Sequence, residues 1–96
     1  MISIYKSLSE SSSHLVKMDT IEPGCWINMI APNEQELILT SKKTGVPMDF
    51  LKAALDDEES SRIETSDDNI LFIVDIPFTE VEENTLTYDT YPLGII

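Results

Sequence analysis

Two helices are punctuated inside a chain that otherwise reads as strand, and this bracket limits the folds open to it. Ala31-Pro32 stops a strand. Asn33 then caps a helix, and Glu36 three residues on completes a capping-box pattern. Glu34 and Glu36 suit the positive end of the helix dipole, and Lys42 and Lys43 suit the negative end. Gly45 fits the left-handed stop. Leu37, Ile38 and Ser41 mark the inner side of this short helix, which tertiary packing must hold. Pro47 opens a second helix at the first-turn position, where its missing N–H is harmless. Phe50, Leu51, Ala54 and Leu55 form its apolar stripe, read as core.

The flanks alternate with the two-residue period of strands. Ile2 and Ile4 alternate with Ser3 and Tyr5, and Ser7–Ser13 has no apolar period and reads as a loop. His14 has no second His or Cys as co-ligand and is assigned to the surface. Leu15–Met18 makes a second strand, and Glu22-Pro23-Gly24 is a turn. Cys25–Ile30 makes a third, with Trp26 and Asn28 opposite Cys25, Ile27 and Met29. An indole is a large apolar surface to leave in water, so the Trp26 face is expected to meet protein. After the helices, Arg62-Ile63-Glu64 starts a strand and Ser66–Asn69 turns. Ile70–Ile76 suits a strand buried on both faces; Asp75 within it would then need a partner, for which Arg62 is the nearby base. Pro77 is expected to end it, leaving Phe78–Asn84 as an exposed acidic loop. Thr85–Ile96 reads as the last strand. The expected architecture is α/β: a mixed sheet of about six strands with two short helices inserted after the third.

A chain of 96 residues is expected to form one domain, residues 1–96. No stretch is long and apolar enough to span a bilayer, and no signal peptide is expected. The single cysteine, Cys25, excludes an internal disulfide and fits a reducing compartment. The apolar ending Pro92–Ile96 is expected of a segment cut from a longer protein.

Charge narrows the partners. The net charge is −12; residues 1–55 carry six acids and five bases, whereas residues 56–96 carry twelve acids and only Arg62. Nucleic acid and anionic membrane surfaces are repelled by such a field, and cations or a basic protein surface are attracted. Asp56, Asp57, Glu58 and Glu59 run together where the second helix ends. A charge run of this kind is most often simply solvated. Read functionally, it is a loose divalent-cation site, since Mg²⁺ keeps several waters and takes only one or two carboxylates. No EF-hand spacing, phosphate loop, Cys/His cluster or nucleophile–base pair is visible, so the chain is not expected to be an enzyme.

Several segments together carry a family resemblance: Trp26-Ile27-Asn28, the Pro32–Glu36 helix start, Thr44–Asp56 (TGVPMDFLKAALD), Glu58–Glu64, Ile70–Pro77 and Tyr91–Ile96. In this order and spacing the chain resembles the N-terminal cytoplasmic domain of CorA-type magnesium transporters. The resemblance implies a sheet with helices on both faces, followed by a stalk helix and two C-terminal membrane helices. It implies a homopentamer on the cytoplasmic side of the cell membrane, with the pore and its Gly-Met-Asn signature outside this chain. It also implies a domain that senses Mg²⁺ at subunit interfaces and favours the closed pore, with Co²⁺ among the cations carried by relatives. Family members often place a sensing acid where this chain has Ala53, which weakens that position; Asp56, Asp57 or Glu58 would have to substitute. Ser60-Ser61 also stands where an Arg-Pro is common. The alternative is a free-standing acidic module that binds a basic protein surface; a small metal-dependent enzyme ranks last.

Overall fold

The computed structural model describes residues 1–10 and 13–96; the loop expected over Ser7–Ser13 falls partly on residues 11 and 12, outside that range. The order of elements is β1 (Ile2–Ser7), β2 (Leu15–Met18), β3 (Trp26–Met29), α1 (Glu34–Thr44), α2 (Met48–Ala53), β4 (Arg62–Ser66), β5 (Asn69–Glu82) and β6 (Thr85–Ile95). The class is mixed α/β, with the two helices after the third strand. The six strands form two three-stranded sheets, β2-β1-β3 and β4-β5-β6, rather than one. All four strand pairs are antiparallel. Periodicity identifies strands but does not say which strand neighbours which, and this is where the expectation of one sheet departs from the structure. The chain divides into two compact units, Met1–Gly45 and Val46–Ile96.

In the first unit β1 is the central strand. Ile4 faces Met18 on one side and Ile27 on the other, so register places three apolar side chains in one row. Ile4 is buried, as are Leu37 and Thr40 of α1. Helix α1 starts through the capping box: the Asn33 side chain accepts from Glu36 N at 2.8 Å, and Asn33 N donates to Glu36 Oε1 at 2.9 Å. Gly45 ends it at φ 79°, its N–H donating to Ser41 O. The inner side differs from expectation at one position. Thr40, not Ile38, is buried, because its hydroxyl is satisfied within the helix by Glu36 O at 2.9 Å.

The Asn33 N–H holds the Glu36 carboxyl below its ordinary value of 4.5; burial opposes this, and the Met1 ammonium, 3.3 Å away, adds to the lowering. A carboxyl lowered on folding contributes stability above its unfolded value and loses it as pH falls through the folded one. Helix α1 should therefore weaken in acid below the ordinary glutamate value, and Glu36→Gln should flatten that dependence. Asn33→Ala should cost about 1 kcal/mol. Amide exchange in the first turn of α1 against pH checks both; an acid response unaltered by Glu36→Gln would contradict the capping account.

In the second unit α2 lies against β4-β5-β6. Phe50, Leu71 and Ile73 form the buried cluster, with Val46 and Ala53 packed on it. Leu71 and Ile73 share one side of β5 and are almost fully buried. Phe72 and Val74 point the other way and remain exposed, so the apolar run is covered on one face, not two. Asp75 is exposed and needs no buried partner. Leu55, at the end of the expected apolar stripe, is also exposed.

Strand β5 passes through Pro77 and continues to Glu82. The reason is topological. Strand β4 pairs with β5 only from Asn69 to Ile73, whereas β6 pairs with it from Phe72 to Glu82. Beyond Ile73 the other side of β5 is an open edge, where a residue lacking an N–H is tolerated. The expected acidic loop is accordingly a hairpin closed by Glu83 and Asn84, with φ 50° and 68°. Two positive φ values at the centre of a two-residue loop are the signature of a type I′ turn.

Candidate functional site

The acidic run begins where α2 runs out. Successive turn hydrogen bonds lead the chain away from the helix: Leu55 N to Lys52 O, Asp56 N to Ala53 O and Glu59 N to Asp56 O. Asp56 Oδ1 also accepts from Glu58 N at 2.9 Å, fixing the Asp56 side chain over its own turn. Asp56, Asp57 and Glu58 are exposed, and Glu59 is half-buried. Arg62, the first residue of β4, forms a close ion pair with Glu59, and its Nη2 lies 3.1 Å from Glu64 Oε2. The lone base of residues 56–96 is thus placed between two carboxylates.

An open groove of about 340 Å³ runs beside this turn, lined by Asp49, Phe50, Lys52, Ala53, Asp56, Glu59, Arg62 and Glu64. Of the four acids singled out from sequence, Asp56 and Glu59 line the groove; Asp57 and Glu58 are not among its lining residues. Asp49 and Glu64 join it and were not anticipated. Asp49 reaches the groove from the first turn of α2, whereas Asp56 lies in the turns past the helix end. Glu64 reaches the groove through strand pairing, which local sequence does not encode. Ala53 is also in the wall. Among the described residues no group of three or more His, Cys, Asp or Glu side chains is gathered tightly enough to hold a metal ion. Within one chain the carboxylates therefore edge a groove without forming a preorganised cage.

In the first unit a second groove is lined by Tyr5, Leu15, Trp26 and Asn28. Trp26 is 65% exposed, so the expected protein cover over its face is not supplied by the described residues. His14 is exposed, and Cys25 is a half-buried free thiol. Among the described residues no helix is long and apolar enough to cross a membrane.

Two antiparallel three-stranded sheets, each with one short helix in its own unit, and an acid-edged groove at the end of α2 define a small mixed α/β segment. No protein-family profile matches it. It is 33% identical over 66 residues to the cobalt/magnesium transport protein CorA of Methanocaldococcus jannaschii, covering 69% of this chain and 21% of that protein. The complete structure of the CorA magnesium transporter from the same organism superposes with a TM-score of 0.69 at 27% identity, over 99% of this chain and 29% of the transporter chain. Over the matched residues the chain is homologous to CorA and shares the fold of that part of the transporter. It spans about a fifth of the length of the curated relative.

Proposed function

We propose that this chain is the regulatory, Mg²⁺-sensing segment of a CorA-type magnesium transporter, placed on the cytoplasmic side of the membrane and acting as one of five like subunits. The observation that carries the reading is the match of 99% of the chain to a magnesium transporter. The acid-edged groove at the end of α2 supports it. In this reading the pore lies in other parts of the protein, and the segment controls passage through it without conducting ions itself.

The physical scheme rests on the exposed acids of the turn after α2. Carboxylates facing each other across two subunits repel. Mg²⁺ between them removes the repulsion and holds the subunits together. An ion shifts the equilibrium toward the closed ring only by its differential affinity for that state. The ligands assigned are Asp56, Asp57 and Glu58, which are exposed. Glu59 belongs to the same run, but an ion must displace Arg62 to use it. Co²⁺ is a second ion for the same oxygen set, in keeping with the cobalt/magnesium description of the relative.

The chain alone supplies half of such a site. Mg²⁺ titrated into the 96-residue chain should therefore shift the amides of Asp56, Asp57 and Glu58 weakly, without saturation below roughly millimolar concentration. Tight stoichiometric binding by the monomer would contradict a shared site. A free-standing acidic module would instead show salt-sensitive association with a basic partner and no specific Mg²⁺ response.

A further inference from the structure

The sensing scheme leaves one charge of the groove without a role. Arg62 is the lone base of residues 56–96, and its guanidinium is shared between carboxylates from two different elements. Nη1 forms the close ion pair with Glu59, in the turn after α2. Nε and Nη2 donate to Glu64 Oε2 at 3.3 and 3.1 Å. Arg62 pairs with Ile73 and Glu64 with Leu71, so both share the face of β4 on which Phe50 of α2 packs. Glu59 comes from the other side of the groove, in a turn closed by its own N–H on Asp56 O at 3.2 Å. One planar side chain therefore ties the acidic turn to the strand.

A guanidinium held in this way is a tethered competitor for metal ions. It stays charged at any pH the protein meets, and its fork matches carboxylate geometry. Its effective concentration is set by its own short stem and not by the dissolved salt. Divalent affinity rises with the number of charged ligands offered. Withholding two carboxylates leaves Asp56, Asp57 and Glu58, all exposed, as the weak set that a hydrated ion meets.

We infer that Arg62 is a positioning residue that sets the Mg²⁺ threshold of this segment, a role that rests on the Mg²⁺-sensing reading of the acidic run. By holding Glu59 and Glu64 it keeps them out of ion binding. By fastening the turn to β4 it presents Asp56, Asp57 and Glu58 outward. The threshold is thus governed by a residue that touches no ion.

The test follows side-chain carboxyl signals of the isotope-labelled 96-residue chain during Mg²⁺ titration, for the parent, Arg62→Gln and Arg62→Lys. In the parent the signals of Asp56, Asp57 and Glu58 should move while those of Glu59 and Glu64 stay still. Arg62→Gln should bring both glutamates into the titration and tighten the apparent Kd roughly three- to tenfold. Arg62→Lys keeps the charge and loses the fork, so it should tighten binding by less. Guanidinium chloride at tens of millimolar, far below the molar range that unfolds proteins, should reverse part of the gain in Arg62→Gln beyond the effect of equal sodium chloride. A purely structural loss is not repaired in this way. Glu59 and Glu64 signals that already move in the parent would overturn the inference, as would an Arg62→Gln chain that binds Mg²⁺ no more tightly; either leaves the response of Asp56, Asp57 and Glu58 standing. No response at those three residues in the parent would instead defeat the sensing reading, and the threshold role with it. If Arg62→Gln fails to fold, Arg62→Lys decides alone, and a titration indistinguishable from the parent overturns the inference.

Discussion

Replacing Gly94 by alanine should be among the most destabilising single changes in this chain. Gly94 pairs with Ile73 and shares its face, beneath α2. A Cβ at this position would lie 2.2 Å from Ala54 Cβ and 2.9 Å from Ala54 Cα. One of the opposing atoms is backbone, so no flexible side chain can swing aside, and the helix end must lift from the sheet. Overpacking of this kind costs about 1–3 kcal/mol, and backbone involvement places Gly94→Ala at the upper end. For a chain of this size that is a fall in Tm of roughly 10–20 °C. Ala54→Gly in the same chain should recover part of the loss, since it removes the nearer atom and leaves the Cα. Thermal melts of the two single variants and the double close the cycle. A Gly94→Ala protein as stable as the parent would show that α2 does not approach β6 as described.

Leu71→Ala should have an effect of similar size by the opposite route. Leu71 is fully buried and belongs to a hydrophobic cluster of buried residues with Phe50 and Ile73. Truncation removes three heavy atoms and leaves a cavity that Phe50 and Ile73 cannot close. Such changes cost about 2–5 kcal/mol. Total stabilities of small proteins are about 5–15 kcal/mol, so the variant should be partly unfolded at modest denaturant. The loss should be local to Val46–Ile96. Amide exchange should accelerate in β5 and α2 more than in α1, because the first unit keeps its own contacts. Uniform acceleration through both units would contradict their description as separate compact bodies.

The parts of this structure that were legible in the sequence are those whose causes are local. The Asn33–Glu36 box and the Gly45 stop involve residues within four positions of each other, and each is in place; Pro47 stands one position earlier than expected, as the N-cap of α2 at ψ 141° rather than its first helical residue. Strand positions were legible for the same reason. The Pro77 boundary was misjudged because its tolerance depends on where β4 stops pairing, a fact held eleven or more residues away. The two-face burial of Ile70–Ile76 was misjudged because an unbroken apolar run does not say whether a partner for its second face lies in the same chain. The acidic run was legible as a run. Its geometry was not: Arg62 withdraws Glu59 into an ion pair, while Asp49 and Glu64 arrive from a helix and a strand to edge the same groove.

The central claim is that the exposed acids after α2 feel Mg²⁺ on behalf of a pore. A chimera tests it most directly, with this chain replacing the matched segment of the M. jannaschii CorA transporter in vesicles. Mg²⁺ uptake should fall as Mg²⁺ on the side of this segment rises through roughly millimolar levels. Asp56→Asn/Asp57→Asn/Glu58→Gln should raise the half-closing concentration at least about fivefold, while Glu59→Gln should shift it less. Ala53→Asp should lower it, by returning an acid to the groove wall. Transport whose Mg²⁺ response is the same in the chimera, the triple variant and Ala53→Asp would contradict the account.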